Sequence, residues 1–228
     1  FAPIASRAAA ARWPWAHPHH GAGELFAEQL SQNRRMLAGV KAFAEDGGAI
    51  YAEFAGLLYL SLSVQTQVSQ YRLAGVFPFR ARVSPKTHTG YVTVTTNAAC
   101  PLFPPGLRAR GSLFHSCELV QEQALGAFGF GRAREAQAYV ESYTARAEGR
   151  DGAGEALQEG FCRKNTVASY AHIHWGSCPE LATAFEEANP GVDVRLAFDS
   201  SSPNGILLFR DASAVLVAYG TRIREAPL

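Results

Sequence analysis

The 228-residue sequence predicts an α/β domain with a mostly parallel central sheet, and three stretches carry that prediction. In residues 24–45, Phe26, Leu30, Asn33, Leu37, Val40 and Ala44 recur at three-to-four spacing, the repeat of one helix face, and Gly47-Gly48 closes the run. Next comes "GAIYAEF" (48–54), an apolar strand, then the small pair Ala55-Gly56 as a sharp turn, with Leu57 opening another helix. Far downstream "NTVASYAHIHWGS" (165–177) reads as a second buried strand. It leads into a helix over "CPELATAFEEA" (178–188), with Pro179 in the first turn. Strands alternating with helices favour parallel pairing.

The remaining elements are more β-like. "GYVTVTT" (90–96) alternates and is β-branched, "LRARGSLFHSCEL" (107–119) reads as extended, and Pro101, Pro104 and Pro105 punctuate the loop between them. "AQAYVESYTARA" (136–147) predicts another strand, whereas "EGRDGAGEALQEG" (148–160) has the composition of a surface loop. Past Pro190, "VDVRLAF" and "GILLFRDASAVLVAYG" are two further strand candidates separated by the turn signal "SSSPNG". No internal repeat is present.

Composition narrows the function. With 47% hydrophobic and 18% charged residues and a formal charge of +1, the sequence is that of a soluble globular protein without the basic excess of nucleic-acid or anionic-membrane binders. Cys100, Cys117, Cys162 and Cys178 are widely spaced, with no CxxC pair. That disfavours a zinc knuckle or a disulfide framework and points to a reducing compartment, cytoplasm or an organelle matrix (plastid or mitochondrion). The most apolar stretch, 47–64, carries Glu53 and reads as a buried strand and helix, so no membrane span is expected. Residues 1–23 hold Arg7 and Arg12, an alanine run and no acid, a pattern shared by a targeting-peptide remnant and an Ala-rich linker; Phe1 is not an initiator Met, which suggests processing or a longer parent chain.

Strand, tight turn and helix at 50–60 is the frame that presents a nucleophile in several enzyme families. Here the turn position holds Phe54. Around it stands an ordered set of motifs: "FAPI" and "HGAGEL" near the start, "NRRML" (33–37), "YAEFAGLLYL" (51–60), Gly75 to Pro78, Gly90-Tyr91, "RGSLFHSC" (110–117) and "NTVASYAHIHW" (165–175). In this order they resemble the C-terminal glutamine amidotransferase domain of cobyrinic acid a,c-diamide synthases, of the cobyric acid synthase-like triad class. That family shows "FSPL", a Gly-Gly-Tyr-Pro-Glu turn, "YAECGGLMYL", "RGHEFHYS" and "NVLASYVHLHF" at the matching places. The resemblance covers residues 1 to about 186. It implies a three-layer class I amidotransferase (flavodoxin-like) domain over 24–186, preceded by a segment over 1–23 and followed by a β-rich extension over 187–228.

In the family, an elbow Cys attacks the amide of glutamine, a His polarises the thiol, and backbone N–H groups near the glycine-rich turn hold the oxyanion. Ammonia then passes to a separate ATP-binding domain. No GxxxxGK[ST] loop occurs in these 228 residues, so ATP and Mg²⁺ are assigned to that absent domain and no cofactor is expected here. The matched residues are Gly21 and Glu24 on the oxyanion side, Glu53, the elbow Phe54, Ala55 and Gly56, then Arg110, Gly111, His115, Tyr170, His172 and His174.

Departures from the pattern bear on activity. Phe54 stands where the family has its nucleophilic Cys, Ala55 where it has Gly, and Leu113 where it has an acid. A phenyl ring has no lone pair for attack on a carbonyl, and none of the four cysteines, nor Ser61 or Ser63 past the turn, falls at the elbow. With the sulfur and a glycine gone together, the turn is expected to relax and Phe54 to fill the former glutamine pocket. His172 is the matched base and His174, two residues on, its neighbour in the charge-orienting position; alternatively both are satisfied by local hydrogen bonds. Glu53 is expected to accept backbone N–H bonds. His172, His174 and His115 make a weak metal set, and no metal is expected. The expected function is a non-catalytic amidotransferase-like subunit that binds other protein chains or copies of itself, with residues 190–228 as the docking candidate. The alternative is a glutaminase-deficient part of an ATP-dependent cobyrinate a,c-diamide synthase that uses free ammonia.

Overall fold

The structure, a computed structural model, describes residues 23–121, 140–147, 156–188, 206–211, 214–219 and 222–226. Gly21, His17, His19, His20, the "VDVRLAF" strand candidate and the 200–205 turn signal lie outside them. After a 3-10 turn at Gly23–Phe26 come α1 (Ala27–Gln32) and α2 (Arg34–Glu45), then β1 (Ile50–Glu53) and α3 (Ala55–Leu60). Where the sequence suggests one helix over 24–45, the structure breaks it at Asn33. That side chain accepts a hydrogen bond from the Met36 amide at 3.2 Å, restarting the helix as an N-cap.

Eleven further strands and one α-helix follow among the described residues. They are β2 (Ser63–Gln65), β3 (Gln70–Arg72), β4 (Phe79–Thr96), β5 (Arg108–Gln121), β6 (Val140–Ala147), β7 (Ala156–Arg163), β8 (Thr166–Ser169) and β9 (His172–Ile173). Next come α4 (Glu180–Ala188), β10 (Ile206–Asp211), β11 (Ala214–Tyr219) and β12 (Arg222–Ala226). The α/β class is as the sequence predicts, but the sheet is mixed: β1–β8 and β2–β4 are parallel, and the other described pairings are antiparallel. Connection length explains the difference. β7 turns into β8 through Lys164, a non-glycine residue at φ 51°, and so short a link returns the chain antiparallel, whereas parallel partners need a crossover. Residues 156–160, expected in a loop, belong to β7. Gly160 (φ 72°) sits so close under Tyr143 of β6 that an added Cβ would lie 2.2 Å from the ring.

β1 is the hinge of the architecture. Its side chains alternate between two cores. Ile50 and Ala52 pack with Met36, Leu37 and Val40 of α2 and Leu57 to Leu60 of α3. Tyr51 points the other way, edge-on to Phe103 (5.6 Å between centroids) and Trp175 (5.2 Å), in a core that includes Leu181 and Phe185 of α4. Helices therefore cover both faces of β1. On its free edge β1 pairs with β10 (Tyr51 with Leu208), so the C-terminal strands continue the central sheet through backbone hydrogen bonds. No described helix is long and apolar enough to cross a membrane.

Candidate functional site

The site forms where the parallel pair β1–β8 ends. Glu53 lies level with Ser169, and the Phe54 amide extends the pairing by donating to the Ser169 carbonyl at 2.9 Å. Phe54 then reverses direction at φ 50°, ψ −113°, and its carbonyl accepts from Leu58 in the first turn of α3. Those angles miss the small left-handed basin of L-residues, a conformation that costs about 1–3 kcal/mol and persists only where the surroundings dictate it. The elbow has not relaxed, contrary to the sequence expectation. The physical reason is that strain sits at Phe54 itself, fixed by strand pairing on one side and α3 on the other. Ala55 is the first residue of α3 and has no positive φ, so the turn does not require a glycine at this position.

Phe54 is buried, with its ring edge-on to the His172 imidazole at 6.0 Å between centroids. His172 Nδ1 lies 2.6 Å from Glu53 Oε2. The other carboxylate oxygen of Glu53 accepts from the Tyr51 hydroxyl at 2.5 Å and the Ile173 amide at 2.9 Å. Glu53 is fully buried while the His172 side chain stays 23% exposed, so the pair reaches the surface through the imidazole. Burial depresses the basicity of His172, but the hydrogen bond and charge of Glu53 outweigh it and hold the imidazole above its ordinary value. Burial first, and the Glu53 charge second, push the Tyr51 hydroxyl well above the phenol range, keeping it a proton donor.

His174 does not occupy the orienting position. The rule that residues i and i+2 share a face needs a continuing strand, and β9 ends at Ile173. His174 instead caps the 3-10 turn Trp175–Ser177: its carbonyl accepts from the Ser177 amide at 2.8 Å and hydroxyl at 2.6 Å, while its exposed ring lies beside Gly176. Glu53, expected only to accept backbone N–H bonds, takes the imidazole as well. A carboxylate one residue before the elbow was the sequence signal for this role.

Arg110 and Gly111 seat the histidine strand. The Arg110 carbonyl accepts from the His174 amide at 2.8 Å, and the Arg110 amide donates to the Ser177 hydroxyl at 2.8 Å. Gly111 pairs with Ile173, and a Cβ on it would lie 2.5 Å from the His172 carbonyl oxygen, so only glycine permits this approach of β5 to β9.

His115 lies in a stack of three rings, with His88 at 4.9 Å on one face and Tyr170 at 3.9 Å on the other. Its Nδ1 donates to the Cys117 carbonyl at 2.9 Å. Burial drives His115 down to about 4. The Tyr170 hydroxyl is buried without a hydrogen-bond partner among the described residues, and burial raises it well above the phenol range. Glu24, which the resemblance assigns to the oxyanion side, is half-buried and its carboxyl is raised, again chiefly by burial. Among the described residues no three His, Cys, Asp or Glu side chains gather as a metal site.

The His115 stack carries a pH prediction. An unfolded histidine titrates near 6.5 and the folded one near 4, so between these values the unfolded chain binds more protons and stability falls as pH drops. Allowing for partial solvent access, the loss is about 1–2 kcal/mol by pH 4. Urea unfolding at pH 7 and pH 4.5 should show a smaller acid loss in His115→Phe than in the natural chain; equal losses would contradict the shift. His172 works in the opposite sense, its contribution being lost as pH rises through its folded value, and it cancels in this comparison.

Fold and site together describe an α/β domain with a strand–turn–helix elbow at Phe54, beside a His172 held by the buried Glu53. Comparison with known proteins agrees on the class. Residues 21–179 match the CobB/CobQ-like glutamine amidotransferase domain. The cobyrinate a,c-diamide synthase of Syntrophotalea carbinolica is 32% identical over 167 residues, covering 72% of this chain and 33% of that protein. The protein of the same name from Caldanaerobacter subterraneus is 31% identical over 156 residues, covering 68% and 30%. A crystal structure of glutamine amidotransferase aligns with 73% of this chain and 71% of its own at 13% identity and a TM-score of 0.39, too distant to add to the assignment. This chain belongs to the CobB/CobQ-like glutamine amidotransferase domain family, and it spans about a third of the length of the curated relatives it matches.

Proposed function

We propose that this chain is a cobyrinate a,c-diamide synthase-like amidotransferase domain that does not release ammonia from glutamine and serves as a structural or protein-binding subunit. One observation carries the reading: the residue held at the strained elbow, facing the Glu53-paired His172, is Phe54. Among the described residues the side-chain hydrogen bond of His172 goes to Glu53, and no thiol or hydroxyl takes the place of the missing sulfur. Cys117, whose thiol is pushed up to about 12 chiefly by burial, stays a neutral thiol on β5. Without a nucleophile the acyl-enzyme route has no first step. ATP and Mg²⁺ belong, on this reading, to a separate synthetase domain.

Ammonia release from glutamine by the purified chain tests the first half of the reading, and native mass tests the second. A complex or homo-oligomer supports a docking role, and a lone monomer contradicts it. A second reading draws on the relatives, which extend well beyond the aligned third. Here the chain is part of a synthase that amidates cobyrinate with free ammonia, and a co-purifying chain with a GxxxxGK[ST] loop would favour it.

A further inference from the structure

We propose that Glu53 is the positioning residue for His172: it fixes the imidazole with Nδ1–H toward β1 and Nε2 toward residue 54, so that acid, base and elbow survive together and only the thiol is missing. The inference rests on reading residues 53–56 as a nucleophile elbow. It goes further by assigning the third member of the constellation to the residue immediately before the elbow, on the same strand.

Three observations build it. The Nδ1–Oε2 separation of 2.6 Å is that of a charge-assisted hydrogen bond. A carboxylate has no proton to give, so Nδ1 donates, and the neutral imidazole keeps its lone pair on Nε2. The carboxylate itself cannot swing away. Oε1 is held by the Tyr51 hydroxyl and the Ile173 amide, and Tyr51 is wedged edge-on between Phe103 and Trp175. Finally, the Ser169 and Leu58 hydrogen bonds hold residue 54 at φ 50°, which sets its side chain against the His172 ring.

If a thiol stood at position 54, its proton would pass to His172 Nε2 and the resulting imidazolium would be stabilised by Glu53. With iodoacetamide as probe, the thiolate sulfur would then attack the methylene carbon, a sulfur–carbon bond would form and iodide would leave.

The test begins with the natural chain, which removes any dependence on a variant's folding. Imidazole ¹⁵N spectra above neutral pH should show His172 as the Nδ1–H tautomer; the Nε2–H tautomer would overturn the proposal. In Glu53→Gln, which keeps the shape and the acceptor for Ile173, the titration midpoint of His172 should fall by about 1 unit or more; an unmoved midpoint would overturn it. In a Phe54→Cys background, iodoacetamide alkylation near pH 6 should slow by about tenfold on adding Glu53→Gln, since one unit of pKa is one decade of thiolate–imidazolium pair; equal rates would overturn it. These readouts are independent of glutamine chemistry. Glutamine hydrolysis by the natural chain would sink the inactive reading and leave the Glu53 assignment intact, whereas a wrong tautomer would do the reverse.

Discussion

Phe54→Cys should confer measurable glutamine hydrolysis on a chain that, on the proposed reading, otherwise releases ammonia no faster than buffer does. Where nucleophile, base and orienting acid act as a unit, deleting the nucleophile costs about 10⁶-fold, so the natural chain should lie at background. The variant should recover part of that factor because the rest of the constellation stands: Glu53 at 2.6 Å from His172, and an elbow already at φ 50°, ψ −113°. Full recovery is not expected, since Leu113 replaces the family acid and the Gly-Gly-Tyr-Pro-Glu turn keeps only Gly21 and Glu24. Adding Ala55→Gly should contribute little, because residue 55 starts α3 without a positive φ. A coupled ammonia assay on the natural chain, Phe54→Cys and the double variant decides this. Activity in the natural chain contradicts the inactive reading, and a strict need for glycine at 55 contradicts the elbow geometry.

Stability at the same residue gives a second large effect, with an unusual ordering. Truncating buried Phe54 to Ala should cost about 3–5 kcal/mol, the usual loss for a phenyl group removed from a packed site. Elsewhere in a protein a glycine would be worse than alanine by about 0.5–1 kcal/mol. At φ 50°, ψ −113° the order should reverse: Phe54→Gly loses the same ring contacts but sheds a backbone strain of about 1–3 kcal/mol, leaving it about 1 kcal/mol more stable than Phe54→Ala. Urea midpoints of the two variants measure the difference directly. Alanine above glycine would mean that the elbow is not strained.

Much of this site was legible before folding was considered. The apolar run Ile50 to Ala52 and the small residues after Phe54 mark the elbow from local pattern, and the resemblance of "NTVASYAHIHW" to the family strand marks His172. What escaped was set by contacts distant in sequence. Glu53 and His172 are separated by 119 positions, and nothing near either residue announces that β8 will lie beside β1. The misplacement of His174 came from extending a strand through a residue that caps a 3-10 turn. A relaxed turn is what the absence of both Cys at 54 and Gly at 55 suggests, whereas the dihedral burden falls on 54 and is imposed by the Ser169 and Leu58 hydrogen bonds. The Gly- and Glu-rich composition of 148–160 suggested a loop, yet Gly160 is there because Tyr143 leaves no room for a side chain. Antiparallel pairing was likewise hidden, because it depends on which strands the short links return to each other.

The most direct examination of residue 54 uses an electrophilic glutamine analogue and intact-mass spectrometry. Natural protein incubated with the analogue should retain its mass, while Phe54→Cys should gain one adduct that maps to position 54. A stoichiometric adduct on the natural protein, at any cysteine or serine, would show that another side chain serves His172 and would contradict the loss of the nucleophile.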